Sequence, residues 1–435
     1  MIDPLMVGWI GLIVLFAIIA MGLHIGIAMA LVGFAGYAVI AGFPAALAQL
    51  RAVPYSSVAS YNLTIIPLFI LMGEIAFHSG LIRTAYDTAH KWLGHLPGGL
   101  AMTTIAGCSA FAAVCGSGIA TASTMTSLAY PEMKRYNYSS RLSLGSIAAG
   151  GTLGILIPPS NPLVIYAIFS DTSVGKLFMG GFLPGILLAF LFMVTIFIWA
   201  KLKPSARIAD SRVSWKQRII SIKDIWPVLI LALIIMGGIW GGIMTAIEAA
   251  GVGAFVAFVI GLALRKINVK NVILSLNATI KTTAMIFVIL IGAMIFNYFI
   301  VLSGLPNELA SFIGNLSLPP MAILICILIV YFILGALMDE FAMTVLTLPI
   351  FLPILSHLGF DLVWFGIIFV IMCQMGMIAP PIGMNVFVVA GMVPEVPTYT
   401  VYRGILPFLG AMIVCVALVI AFPQIAMFLP NTMIR

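Results

Sequence analysis

Hydrophobic residues fill long runs of this chain, and polar residues are confined to the short segments between those runs. A helix needs about 20 mostly apolar residues to cross a bilayer. The pattern predicts one or two spanning helices over 5–22 and 25–43, and further spanning helices over 62–77, 226–240, 246–264, 282–302 and 405–422. Another span is expected to follow Gly185 and to end at Lys201. Residues 44–60 and 83–91 are less apolar, and we expect them to lie along the membrane interface.

Two apolar segments are interrupted by a pair of prolines. Pro158-Pro159 lies in one and Pro380-Pro381 in the other, and the offset between them (380 − 158 = 222) also relates Gly154 to Gly376. Proline has no N–H and ends a helix, so it releases carbonyl groups that lipid cannot satisfy. Interrupted segments at matching positions of two halves indicate the binding site of a secondary transporter. The alternative is a pair of kinked packing helices.

Each interrupted segment follows two short apolar arms joined by a polar turn. The first turn is Cys115-Gly116-Ser117-Gly118, and the second is Met338-Asp339-Glu340. Each arm is about 15 residues, which is shorter than a spanning helix. We therefore predict two re-entrant helical hairpins, with Ser117 and Asp339 at equivalent positions (339 − 117 = 222).

The predicted fold class is an all-α polytopic membrane protein with two repeats. Cations at Lys134 and Arg135 put the open end of the first hairpin on the cytoplasmic side, and counting spans puts the second hairpin on the other side. The repeats are therefore expected to be inverted. The expected parts are a scaffold over 1–96, a transport repeat over 97–180 (hairpin 97–135, interrupted helix 138–169), a scaffold with a basic linker over 181–317, a second transport repeat over 318–403 (hairpin 318–357, interrupted helix 360–392) and a last span over 404–435.

Composition supports a membrane protein. Of 435 residues, 63% are hydrophobic and 8% charged, and the mean hydropathy is +1.22. The net charge is +7, and one linker contains seven of the 20 cations: Lys201, Lys203, Arg207, Arg212, Lys216, Arg218 and Lys223. That density indicates a cytoplasmic loop. Nucleic-acid binding is the alternative, but the segment is short and has one aromatic residue, so we expect no nucleic-acid partner.

Candidate site residues lie at the hairpin turns and at the breaks. The hydroxyl, amide and carboxyl groups there are those of Ser117, Thr121, Ser123, Ser160, Asn161, Asp339, Glu340, Thr344, Gln374 and Asn385, and the freed carbonyls lie near Gly154, Ile157, Gly376 and Ala379. Such oxygens suit a hard cation such as Na⁺, and helix N-termini attract anions. A carboxylate inside a membrane is costly to bury, so such a residue is a candidate functional residue. The alternative is that Asp339 and Glu340 reach water.

Other function classes lack their sequence features. A channel needs a continuous polar stripe, whereas the polar residues here are local. An intramembrane enzyme needs a nucleophile–base pair or a metal cluster, and the acids at the second turn adjoin no base. The five cysteines make no metal motif, and we expect them to be buried and unpaired. A coupled transporter is the favoured class.

Several stretches together resemble one family. They are Pro67–Glu74, Gly94–Gly99, Gly116–Thr121, Ile157–Ser160, Leu177–Gly185, Gly241–Thr245 with Glu248, Leu337–Asp339 and Pro380–Gly383. In this order they resemble the large membrane subunit of a tripartite ATP-independent periplasmic (TRAP) transporter, of the sialic acid or C4-dicarboxylate type.

The resemblance implies an elevator-type importer in the bacterial inner membrane, driven by Na⁺ at two or more sites. It implies a periplasmic substrate-binding protein that delivers organic acids, and a small four-helix membrane subunit. Implied Na⁺-site residues are Cys115, Ser117, Gly154, Ile157, Pro159, Asp339, Gly376 and Ala379; implied substrate residues are Ser117, Ser160, Asn161 and Asn385. Many members carry serine where this chain has Cys115. Proton coupling, or transport without a binding protein, is the alternative.

Overall fold

The structure is a computed structural model that describes residues 3–202, 213–314 and 318–434. Every regular element in these ranges is helical, as the sequence predicts. Lys203, Arg207 and Arg212 of the basic linker, and residues 315–317 at the end of the second scaffold segment, lie outside the described ranges.

Five helices precede the first hairpin. They are α1 (Pro4–Ala20), α2 (Ile25–Ala41), α3 (Phe43–Val58), α4 (Ile65–His78) and α5 (Leu81–Leu93). Helix α2 packs along a later long helix, and its Gly33 meets the backbone of that helix at Phe296, where an added Cβ would lie 2.6 Å from the Phe296 Cα. Small residues allow this close helix approach in membranes.

The first repeat contains four helices. They are α6 (Gly99–Cys115), α7 (Gly118–Arg135), α8 (Ser140–Leu156) and α9 (Asn161–Ser170). Helices α8 and α9 are bent by 43° across the Pro158-Pro159 break. The proline pair therefore interrupts the helix at the predicted place.

Six helices connect the repeats. They are α10 (Val174–Leu202), α11 (Trp215–Ile222), α12 (Trp226–Trp240), α13 (Ala246–Ala263), α14 (Val269–Leu302) and α15 (Leu305–Gly314). Helix α13 begins at a capping box, in which Thr245 and Glu248 satisfy each other's backbone N–H groups. Glu248 thus has a structural partner, in keeping with its place near a span end.

The second repeat and the C-terminal region contain six helices. They are α16 (Pro320–Gly335), α17 (Glu340–His357), α18 (Leu362–Ile378), α19 (Met384–Met392), α20 (Thr398–Ala421) and α21 (Gln424–Thr432). Helices α7 and α17, like α8 and α18, begin and end 222 residues apart (340 − 118, 362 − 140), which is the offset of the prolines. The repeat is thus a structural one.

The interrupted helices run in opposite directions. The start of α8 lies beside the start of α20, since a Cβ on Gly145 would lie 2.6 Å from the Gly404 carbonyl carbon. The start of α18 lies beside the end of α20, because the Trp364 indole donates to the Val419 carbonyl at 3.0 Å. Helices α8 and α18 are therefore antiparallel, as inverted repeats require.

Seven helices of the described ranges are long and apolar enough to cross a membrane, or up to eight if the bent pair α8–α9 counts as one span. This confirms a polytopic membrane protein.

Several sequence-based bounds were wrong. Helix α14 starts at Val269, not at residue 282, because Lys270, Asn271, Asn277 and Lys281 lower the hydropathy of its first turns. Helices α15 and α21 were not predicted. The hairpin arms have 16 to 18 residues, longer than expected.

Candidate functional site

The first hairpin turns at Gly116 and Ser117. Gly116 has φ of 64°, a left-handed conformation that favours glycine, and it follows Cys115, the last residue of α6. Ser117 is the N-cap of α7, and its hydroxyl oxygen accepts a hydrogen bond from the Ala120 N–H at 3.4 Å. This turn packs closely against the first break, since a Cβ on Gly116 would lie 2.7 Å from the Pro159 carbonyl oxygen.

The first break exposes carbonyls and begins a new helix. Pro158 and Pro159 cannot donate to the carbonyls of Gly154 and Ile155, four residues earlier. Ile157 follows α8 in an extended conformation. Gly154 itself packs on the first turn, because a Cβ there would lie 2.6 Å from the Ser117 carbonyl oxygen.

Two candidate substrate residues follow this break. Ser160 is the N-cap of α9, and its oxygen accepts from the Leu163 N–H at 3.4 Å. Its hydroxyl hydrogen is a separate donor. Asn161, the first residue of α9, is 3% exposed, and its side-chain oxygen has no hydrogen-bond partner in the described part of the chain. Both side chains are thus buried beside the turn at Gly116.

The second hairpin repeats this geometry with a carboxylate. Asp339 is half-buried and is the N-cap of α17, where one carboxylate oxygen accepts from the N–H groups of Phe341 and Ala342, both at 3.0 Å. Gly376 of α18 packs on the end of α16, because a Cβ there would lie 2.5 Å from the Gly335 Cα. Asp339 therefore stands where Ser117 stands in the first repeat.

The second break also interrupts the helical hydrogen bonds, although the Gly376 carbonyl keeps one partner. Pro380 and Pro381 cannot donate to the carbonyls of Gly376 and Met377, although the Ala379 N–H bonds to Gly376 at 2.9 Å. The Tyr402 hydroxyl of α20 donates to the Pro381 carbonyl at 3.0 Å and also contacts the Ile382 carbonyl. Sequence reasoning missed Tyr402, since nothing in its spacing relates it to a break about 20 residues earlier.

The two repeats meet through buried amides. A Cβ on Gly118 would lie 3.2 Å from the Gln374 side-chain oxygen, and one on Gly151 would lie 3.2 Å from the Asn385 side-chain nitrogen. Neither polar atom of Asn385 has a hydrogen-bond partner within the described ranges, and the same holds for the Gln374 oxygen. Buried amide atoms are normally paired. These amides mark the centre where both repeats could hold a polar ligand.

Glu340 lies at this centre as well. It is 3% exposed, and its carboxyl oxygen accepts from the Gln374 side-chain nitrogen at 3.4 Å. The alternative that this acid reaches water is therefore wrong. Gln374 was among the candidate polar groups, but its link between Glu340 and the first hairpin follows only from the packing of α18.

The predicted site residues form two groups. The first group lies around the first turn and break and consists of Cys115, Ser117, Gly154, Ile157, Pro159, Ser160 and Asn161. The second group lies around the second turn and break and consists of Asp339, Gly376 and Ala379. Asn385 of α19 lies against α8 of the first repeat. Each group offers carbonyl oxygens with a hydroxyl or carboxylate, which are the ligands that Na⁺ finds at broken helices. The expectation of buried cysteines is wrong for Cys326, which is exposed.

A polar cavity of about 490 Å³ opens next to α9. Ser56, Asn62 and Thr172 line it, and so does Val164, one turn after Ser160 and Asn161. Its other walls come from α3, α13 and α14. The cavity therefore lies between α9 and α3, close to the first break, while α9 also packs against α4.

An ion pair joins the outer ends of the two repeats. The Lys134 ammonium at the end of α7 bonds to the Glu395 carboxylate, after α19, at 2.5 Å. This hydrogen bond lowers the pKa of Glu395 below its usual range. Both groups are exposed, so the pair links the repeats without being part of the buried site.

Antiparallel broken helices, paired hairpins and a polar centre inside an apolar bundle define a polytopic membrane protein of the transporter class. Residues 12–425 match the family described as "Tripartite ATP-independent periplasmic transporter, DctM component". The chain belongs to this family, which confirms the resemblance seen in its motifs. It is a multi-pass protein of the bacterial inner membrane, in a family of transporter permeases rather than enzymes.

Named relatives cover most of the chain. It is 38% identical to the C4-dicarboxylate TRAP transporter large permease protein DctM of Pseudomonas aeruginosa over 85% of this chain and 86% of that one. It is 30% identical to the sialic acid TRAP transporter large permease protein SiaM of Vibrio cholerae, over 98% and 97%. The isethionate TRAP transporter permease protein DctMQ of Oleidesulfovibrio alaskensis is 33% identical, over 98% of this chain and 66% of the relative.

A solved structure has a similar fold. The crystal structure of the Alcanivorax borkumensis YdaH transporter, described as having an unusual topology, superposes with a TM-score of 0.63. It covers 88% of this chain and 90% of that chain at 16% identity. At this identity the likeness concerns the fold alone.

Proposed function

We propose that this chain is the permease of a Na⁺-coupled importer of small organic anions, which a periplasmic substrate-binding protein delivers. Unpartnered amide atoms of Asn161, Gln374 and Asn385, buried between two broken helices, are the observation that carries the proposal. Of these atoms the Asn385 nitrogen is a donor and can bind a carboxylate together with the hydroxyls of Ser117 and Ser160. The side-chain oxygens of Asn161, Gln374 and Asn385 are acceptors and can bind a substrate hydroxyl or Na⁺. The substrates in the relatives' names, C4-dicarboxylates and sialic acid, are carboxylates.

Na⁺ would bind at the two turns, as cargo that moves with the substrate. The first site would use Cys115, Ser117, Gly154, Ile157 and Pro159; the second would use Asp339, Gly376 and Ala379. Ser117, Ser160, Asn161 and Asn385 would bind the substrate. Freed carbonyls at both breaks and a half-buried carboxylate at the second turn support this assignment.

The movement would be of the elevator type. The repeats over 97–180 and 318–403, each with a re-entrant hairpin, would move together against a scaffold over 1–96, 181–317 and 404–435. The polar cavity between α9 and the N-terminal helices supports a boundary there. A small four-helix membrane subunit would complete the scaffold; one relative is named as a DctMQ permease and is longer than this chain.

Uptake in proteoliposomes tests the function. The chain with its small subunit and binding protein would be reconstituted, and a panel of radiolabelled C4-dicarboxylates, sialic acid and isethionate offered with an inward Na⁺ gradient. Accumulation of one anion that stops when K⁺ replaces Na⁺ is expected. Uptake that ignores the Na⁺ gradient contradicts the proposal.

Proton coupling is the second candidate, and buried Glu340 favours it. Its carboxyl group has one hydrogen-bond partner, Gln374, and can exchange a proton beside the substrate amides. An inward pH gradient without Na⁺ would then drive uptake, and Glu340→Gln would abolish that uptake. Omitting the binding protein in the same assay tests transport without it.

A further inference from the structure

Three helix ends enclose a cavity of about 410 Å³ at one membrane face, apart from the candidate transport site. Arg141 contributes from the first turns of α8, Arg403 from the beginning of α20, and Trp199 from the last turn of α10. Both α10 and α20 qualify as membrane spans. The cavity therefore lies at the level where lipid headgroups meet the protein.

Among the described residues, the two arginines have no carboxylate partner. Both side chains are exposed, and no carboxylate of the described ranges lies within ion-pair distance of either guanidinium. The Arg403 guanidinium lies over the Tyr399 ring, 5.3 Å from the ring centroid. The Glu395 carboxylate forms its ion pair with Lys134 instead. The planar guanidinium group matches the geometry of phosphate as well as that of carboxylate.

The rest of the cavity is apolar. Ile198 and Leu202 lie on the same face of α10, and Leu406 follows Arg403 by one turn of α20; all three are exposed. Trp199 is the residue type enriched at the membrane interface. A soluble anion would bind the arginines but would not contact the apolar side chains, whereas a phospholipid would contact both.

We propose that this cavity binds one anionic phospholipid. The phosphodiester lies between Arg141 and Arg403, the glycerol region lies against Trp199, and an acyl chain runs along Ile198, Leu202 and Leu406. Basic pockets between membrane helices bind anionic headgroups in this way. The lipid would tie α8 to α10 and α20 at their shared face.

Thermal stability with added lipid tests the site. The purified chain in phosphatidylcholine nanodiscs would receive increasing fractions of phosphatidylglycerol, and the Tm would be followed. A saturable rise in Tm is expected. Arg141→Gln and Arg403→Gln should each raise the half-saturating lipid fraction about fivefold, the effect of one cation near an anionic lipid.

Lys201→Gln is the matched control. Lys201 lies at the same membrane face, near the end of α10. Its ammonium lies over the Phe197 ring, 4.5 Å from the ring centroid, and it does not line the cavity. Lys201→Gln should change the half-saturating fraction of phosphatidylglycerol by less than about twofold relative to the wild type. Equal weakening by Lys201→Gln would show general surface attraction and overturn the proposal, and so would an equal Tm rise with inorganic phosphate or glycerol 3-phosphate.

Charge-conserving variants keep the test valid if a glutamine variant is unstable. Arg141→Lys and Arg403→Lys retain the cation but lose the planar guanidinium group. They should respond between the wild type and the glutamine variants. If phosphatidylcholine and phosphatidylglycerol stabilise the wild-type chain equally, no anionic lipid site exists here.

Discussion

At the residue scale, three buried amides define the candidate substrate site more sharply than any charged group. Asn161, Gln374 and Asn385 come from different helices, yet each has a side-chain atom without a partner in the described chain. A buried polar group without a hydrogen bond costs about 1–3 kcal/mol. A site that binds a polar substrate recovers this cost when the substrate is bound.

Removing polar side chains of the candidate substrate site should weaken substrate binding. We expect Ser117→Ala and Asn161→Ala each to raise the half-saturating substrate concentration roughly 5- to 150-fold, because one hydrogen bond to a charged group contributes about 1–3 kcal/mol. The measurement is uptake in proteoliposomes at saturating binding protein.

Ser146→Ala is the control for this prediction. Ser146 is also buried, but its hydroxyl donates to the Ser143 carbonyl inside α8. It should leave the half-saturating concentration unchanged. If Ser117→Ala and Asn161→Ala change nothing while Arg403→Ala abolishes uptake, the substrate binds nearer α20.

Asp339 should determine the Na⁺ dependence. Asp339→Asn keeps an oxygen that can cap α17, so the fold and the partner assembly should persist. It removes the charge, and we expect the Na⁺ concentration for half-maximal uptake to rise at least tenfold, a loss of about 1.4 kcal/mol or more. Na⁺ titration of uptake measures it.

Asp361→Asn is a matched control for the charge at Asp339. Asp361 caps α18 with the same geometry, accepting from the N–H groups of Val363 and Trp364 at 2.8 and 2.9 Å, but it is exposed at the far end of that helix. Its substitution should leave the Na⁺ dependence unchanged. An unchanged Na⁺ dependence in Asp339→Asn would remove Asp339 from the ion site.

At the scale of elements, close glycine contacts hold each broken helix against a hairpin. Gly154 meets the first turn at Ser117, and Gly376 meets Gly335 at the end of α16. These contacts bring the freed carbonyls within reach of the turn residues. A side chain at either glycine would push the break away from its hairpin.

Gly376→Ala should therefore destabilise the protein. The new methyl group would lie 2.5 Å from the Gly335 backbone, which cannot move aside as a flexible side chain can. We expect a loss of about 1–3 kcal/mol, the usual cost of overpacking, seen as a lower Tm in detergent. Gly410→Ala is the control, because nothing lies within 4 Å of a Cβ there. A Tm for Gly376→Ala equal to that of Gly410→Ala would contradict the tight contact.

At the scale of the whole molecule, the polar cavity between α9 and the N-terminal helices is the place to test for domain movement. Ser56 of α3 and Thr172 after α9 both line it. In a variant that has serine at Cys115 and alanine at the other native cysteines, and whose uptake before bridging is the reference, Ser56→Cys with Thr172→Cys, bridged by a flexible bis-maleimide, should stop uptake if α9 moves against α3.

The same reagent on one side of the cavity is the control. Ser56→Cys with Asn62→Cys places both thiols on the N-terminal side of that cavity. Bridging this pair should leave uptake unchanged. If bridging Ser56 to Thr172 also leaves uptake unchanged, the repeats do not move against the N-terminal helices across this cavity.

Local chemistry in the sequence determined the membrane class, the two breaks and the hairpin turns. A proline pair ends a helix whatever surrounds it, so Pro158-Pro159 and Pro380-Pro381 predicted both interruptions correctly. Ser117 and Asp339 follow the same logic, because N-cap residues act on their own helix. The 222-residue offset was visible in the sequence for the same reason: each repeat contains the same local signals in the same order.

Only the tertiary structure decided which side chains meet. Gln374 contacts Glu340, Asn385 lies against Gly151, Tyr402 bonds to the second break, and Arg141 shares a cavity with Arg403. Apolar periodicity fixes the face that a helix buries but not its partner, and in a membrane nearly every face is apolar. The pairs Asn385–Gly151 and Arg141–Arg403 join residues more than 200 positions apart and depend on the packing of the two halves of the chain, whereas the contacts of Gln374 and Tyr402 depend on how α18 and α20 pack within the second half.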